Sequence, residues 1–181
     1  GAIMEAKAPS EIIGVLAHET GHIAGGHLAG LHAEMAKAQI IAIAGMLVGA
    51  GGAVATARSN RPGSPVGVDS GGAMGMLLGP QELARRTLLS YVRSQEESAD
   101  RAAVKYLQTM GQSAKGLLVT LERFENESLF KTSSLDPYTL SHPLPRERLS
   151  NLETAAKASP TFNAPEQPAL QARHDLVRAK L

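Results

Sequence analysis

The 181-residue sequence predicts a mainly α-helical protein. Apolar residues recur at helical spacing through residues 12–28 and again through 92–110. Residues 1–9 are too short for a layer of strands ahead of the first of these stretches. An uncharged, alanine-rich run at 38–57 would measure about 30 Å as a helix. With 43% hydrophobic and 3% aromatic residues, such a chain packs on Ala, Leu, Ile, Val and Gly. A net charge of +1, spread along the chain, gives no nucleic-acid footprint. The absence of cysteine excludes disulfides and thiolate ligands and suits an oxidising compartment. The chain starts at Gly1 with no methionine, which reads as a processed or engineered piece of a longer protein.

The first helix is expected to start at Pro9-Ser10-Glu11, with Ser10 as N-cap and Glu11 in the first turn, and to run to about Met35. Ile12, Ile13, Leu16, Ile23 and Leu28 give it one apolar face. Gly14, Gly21, Gly25 and Gly26 each cost about 1 kcal/mol against alanine, and they allow another helix or a substrate to approach closely.

This helix carries His18-Glu19-Thr20-Gly21-His22. Histidines four apart lie on one helix face and can reach one ion. Glu19 lies about 100° further round, beside the metal and not bound to it, where it can take a proton from a metal-activated water. Two histidines and a carboxylate favour zinc, Zn2+, at one ion per chain. An extended form of the motif, HExxHxxGxxH, fails, because Gly25 fits but Leu28 stands where its last histidine belongs. His27 and His32 are therefore expected at the surface or behind the ligands, and a third ligand has to come from elsewhere.

Three readings compete for residues 38–57: a buried helical hairpin, a lid over the site, or a membrane-touching segment. Weak hydrophobicity and internal glycines favour the first two. Residues 58–79, rich in Gly and Pro, read as an irregular loop. A new helix is expected from Pro80 to Met110, with Gly111 as its C-cap. Val92, Ala99, Ala103, Tyr106 and Met110 form its apolar stripe, and Glu96 stands within that stripe. A carboxylate there is costly unless paired or metal-bound. Arg93, Glu97 and Arg101 share another face as a solvated ion-pair row. Glu96 is thus the expected third ligand, with a buried carboxylate satisfied by an arginine as the alternative. Asp100, one turn on, can hydrogen-bond a liganding histidine and fix its tautomer.

Beyond this helix, residues 114–127 read as an amphipathic helix, 131–145 as a loop, 146–158 as a helix, 159–168 as a linker with three prolines, and 169–181 as a short amphipathic helix.

HETGH, followed by Glu96-x-x-x-Asp100 in the context EESADR, resembles the HtpX and CAAX prenyl endopeptidase type of zinc metallopeptidase. SHPLPRERL, ending at Leu149, resembles a further motif of the periplasmic β-barrel assembly-enhancing subgroup. The likeness covers about residues 10–155. It implies a zincin-like helical core whose usual N-terminal strands are largely missing here, within a peptidase domain at residues 1–158. It implies zinc on His18, His22 and Glu96, with Glu19 as catalytic base and Asp100 behind the ligands. His142 matches a histidine that approaches the metal from a loop as a regulatory fourth ligand, and Arg148 matches an arginine with a substrate-binding or structural role. The resemblance also implies a protein or peptide substrate, envelope protein quality control, a periplasmic or membrane-associated bacterial location, and a TPR-like repeat region that the 169–181 helix would begin. Two other functional readings stay open: a zinc-binding chaperone or scaffold without turnover, and an integral membrane protease.

Overall fold

The computed structural model describes residues 2–59, 70–130 and 146–180, with side chains described for 4–49, 79–127 and 146–180. The elements are α1 (Ala2–Glu5), α2 (Pro9–Ala24), α3 (His27–Ser59), α4 (Ser70–Thr109), α5 (Lys115–Phe130), α6 (Arg146–Ala158) and α7 (Pro168–Lys180). No strand occurs among the described residues, and the mainly α expectation holds.

Two compact units can be distinguished, one formed by Gly1–His27 with Ser94–Leu181, the other by Leu28–Arg93. In the first, α5 packs on α2 and α6, and α2 also meets α7. Ala103, Val104, Leu107, Leu117, Leu121, Phe124, Leu152 and Ala156 form the core, each shielded from water. Glycines set how closely the helices cross. A Cβ at Gly14 would lie 2.8 Å from the Leu117 backbone nitrogen, and one at Gly21 would lie 2.9 Å from the Ala99 carbonyl oxygen. The second of these contacts brings the histidine face of α2 directly onto α4.

Helix α2 departs from the expected boundaries at both ends. Its N-cap is Ala8, with Pro9 in the first turn, and Ser10 is buried inside the helix. The capping task falls to Glu11, whose Oε1 accepts the backbone N–H groups of Lys7 (2.8 Å) and Ala8 (3.2 Å). Its Oε2 accepts from Arg123 Nη1 at 2.8 Å. At the other end the helix stops at Ala24 and does not continue to Met35, because Gly26 adopts φ +61°, a left-handed conformation that breaks the helical path.

The second unit contains most of α3 and the first half of α4. Gly30 lies against Tyr91 and Gly45 against Pro80, so the two segments run antiparallel. Residues 38–49 do not form a buried segment: Ile40, Ile41, Ile43, Met46, Leu47 and Val48 are exposed. The expected loop at 58–79 is corrected at its two ends only, since helix extends to Ser59 and resumes at Ser70. Residues 60–69 lie outside the described residues. Pro80 accordingly sits inside α4 and does not start it. Its missing N–H removes one helical hydrogen bond, a local loss that the surrounding helix tolerates.

Helix α4 ends as a Schellman motif. Gly111, at φ +66°, donates its N–H to the Gln108 carbonyl (3.0 Å), and Gln112 donates to that of Leu107 (2.8 Å). Gly111→Ala is expected to lower unfolding free energy by about 1 kcal/mol, the cost of a left-handed alanine. An unchanged urea midpoint would count against this strain. Residues 159–168 are not a detached linker. Ser113 Oγ donates to the Phe162 carbonyl (2.5 Å), Thr161 Oγ1 donates to that of Gln112 (2.9 Å), and Phe162 packs against the core. Helix α7 is tied down by His174 Nε2, which donates to the Ala6 carbonyl at 3.1 Å.

Candidate metal centre

Three helices of the first unit meet at one buried cluster. Helix α2 supplies His18, Glu19 and His22, the second half of α4 supplies Glu96 and Asp100, and α6 supplies Arg148. His18 is 0% exposed, Arg148 2%, Glu96 3% and Asp100 4%, so every charge here needs a partner inside the protein.

His18 Nε2 and His22 Nε2 are 3.0 Å apart. Glu96 Oε2 lies 3.4 Å from the first and Oε1 lies 3.4 Å from the second. The ligand atoms of these three side chains all fall within 4.8 Å of one another. A tetrahedral zinc with bonds of about 2.0–2.1 Å separates its ligand atoms by roughly 3.3 Å, so the spacing fits that ion. So does the chemistry of the set, which is two imidazoles and one carboxylate.

Asp100 Oδ1 lies 2.9 Å from His18 Nδ1, a placement that favours the proton on Nδ1 and the Nε2 lone pair toward the cluster. Arg148 grips the same aspartate with both arms, Nε to Oδ2 at 2.6 Å and Nη2 to Oδ1 at 2.9 Å. Its Nη1 lies 2.7 Å from Glu96 Oε2. Arg148 is therefore a buried clamp between the two carboxylates, and Glu96 meets both the arginine and the two imidazoles. Burial works against ionisation of Asp100, but the hydrogen bonds from Arg148 and His18 outweigh it and hold the carboxyl below its usual range. For His18, burial alone would lower the pKa, while hydrogen bonding to Asp100 and Glu96 raises it on balance.

Glu19 is half-buried on α2, one residue past His18. Glu97 points elsewhere and pairs with Arg101 at 3.7 Å. His32 is exposed. His142 lies outside the described residues. His27 is buried and its ring lies edge-on to His22, with centroids 4.8 Å apart and Nδ1 to Nδ1 at 2.9 Å. Burial holds this imidazole below its ordinary pKa, with His22 acting in the same direction. In the sequence the only pointer to His27 is its place just after a glycine pair that follows the motif.

A family model described as Peptidase family M48 matches residues 1–156. A Vibrio cholerae protein, provisionally described as a beta-barrel assembly-enhancing protease, is 28% identical over all of this chain and 34% of its own length. The beta-barrel assembly-enhancing protease of Yersinia pestis is 29% identical over 86% of this chain and 30% of its own. The protein of that name in Escherichia coli K12 is 26% identical over 81% of this chain and 27% of its own. The chain thus spans about a third of the length of the curated relatives it matches. No solved structure matches.

Proposed function

The chain belongs to peptidase family M48, and from that premise we propose that it carries the catalytic centre of a zinc-dependent endopeptidase of the bacterial envelope. The observation that carries the reading is the convergence of His18 Nε2, His22 Nε2 and the Glu96 carboxylate, with Glu19 one residue from the first of them. In this reading residues 1–158 are the peptidase domain, and the substrate is a protein or peptide. The role proposed is in envelope protein quality control, in the periplasm or at a membrane; the relatives' names, which speak of a protease that enhances beta-barrel assembly, agree with it. By length and composition alone, His27–Gly49 could cross a bilayer.

Zinc on His18, His22 and Glu96 would supply Lewis acidity for a water nucleophile and for the peptide carbonyl under attack. Glu19 accepts the proton of the attacking water and delivers it to the departing amine. Asp100 keeps the His18 proton on Nδ1, and Arg148 holds Asp100 and Glu96 in place. The test is hydrolysis of an unfolded protein such as casein by the purified chain, before and after exposure to a strong chelator. Activity is expected to disappear with the chelator and to return on adding zinc. Cleavage that the chelator leaves untouched would overturn the reading.

A further inference from the structure

The Gly25-Gly26 corner does more than end α2. Gly26 reverses the chain with φ +61°, and His27 becomes the first residue of α3 with its ring folded back over Gly25, where any Cβ would strike the imidazole. The ring is 7% exposed and its Nδ1 is 2.9 Å from that of His22. Two imidazole nitrogens at this distance share one proton, one donating and the other accepting. His22 can turn an Nε2 lone pair toward His18 and Glu96 only if its own proton sits on Nδ1. The donor is then His22 and the acceptor His27, which keeps its proton on Nε2.

We propose that His27 is a positioning residue for His22, accepting its Nδ1 proton and so fixing both the tautomer and the ring plane that the metal centre requires. The two histidines of the motif are then anchored by different chemistry, His18 by the Asp100 carboxylate and His22 by a neutral imidazole. This inference rests on the reading of His18, His22 and Glu96 as zinc ligands.

The test is zinc affinity by competition with a chromophoric chelator, on the wild-type chain, His27→Phe and His27→Asn, joined to ring-nitrogen NMR of the zinc-loaded wild type. Phe keeps a ring and removes the acceptor, whereas the Asn carboxamide oxygen can stand near the Nδ1 position. Loss of a partner behind a metal-binding histidine typically weakens affinity about 10- to 100-fold, and that is the loss expected for His27→Phe. His27→Asn is expected to recover most of it, and His22 of the wild type to carry its proton on Nδ1. A His27→Phe chain that binds zinc as tightly as wild type overturns the role of His27, and so does a His22 protonated on Nε2. Should the Phe variant fail to fold by circular dichroism, the Asn variant and the wild-type NMR still decide. Absence of zinc binding in the wild type would overturn the metal centre itself, a result distinct from either of the others.

Discussion

Glu19→Gln is expected to lower peptide cleavage by about 100- to 10,000-fold, the range supplied by a positioned general base. Zinc affinity is expected to stay within a few-fold of wild type. The separation follows from geometry: on α2, Glu19 is displaced about 100° from His18, while the side chains whose ligand atoms converge are His18, His22 and Glu96. Gln keeps the size of the side chain and one hydrogen-bonding oxygen but cannot accept the water's proton at neutral pH. Measured together, casein hydrolysis and chelator competition decide the matter. Full activity in this variant would remove Glu19 from the chemistry, and loss of zinc along with activity would make it part of the binding site.

Arg148→Met is expected to destabilise the protein by about 3–5 kcal/mol, the usual result of removing one partner from a buried ionic cluster. Methionine fills much of the same volume but leaves Glu96 and Asp100, both buried, without the guanidinium that lies 2.7 Å from one and 2.6 Å from the other. Urea unfolding would read the loss. Zinc is expected to reduce it, because a dication at Glu96 supplies part of the missing positive charge. A change below about 1 kcal/mol in chelator would show that the carboxylates find other partners and that the clamp matters little.

Much of this arrangement is legible in the sequence because it depends on helical periodicity. A four-residue spacing puts His18 and His22 on one face of α2, and the stripe through Val92, Ala99 and Ala103 carries Glu96 inward. The boundaries were less legible. Four glycines in the first helix read as tolerated costs, yet Gly26 takes a left-handed φ that stops α2; its place in the Gly25-Gly26 pair is the one local turn signal, and the helical periodicity overrides it. Glycines and prolines at 58–79 read as punctuation, while helix runs to Ser59 and again from Ser70 through Pro80. Arg148 is marked by the family resemblance alone; no local signal reports its grip on Asp100, which forms only when α6 docks. His27 escaped a definite role because the extended motif asks for a histidine one residue later, and its actual partner, His22, is visible only once the corner is folded.

The cluster also draws on segments made far apart in time. Arg148 Nη2 lies 3.5 Å from His18 Nε2, across 130 residues of chain. At a synthesis rate of about 5–20 residues per second, the motif helix leaves the ribosome on the order of ten seconds before the arginine follows. Until then Glu96 and Asp100 have no guanidinium between them, and ionising both in a dry pocket costs more than ionising either alone. In a nascent chain the cluster therefore lacks its guanidinium until α6 docks, and the proposed catalytic centre is complete only from that point.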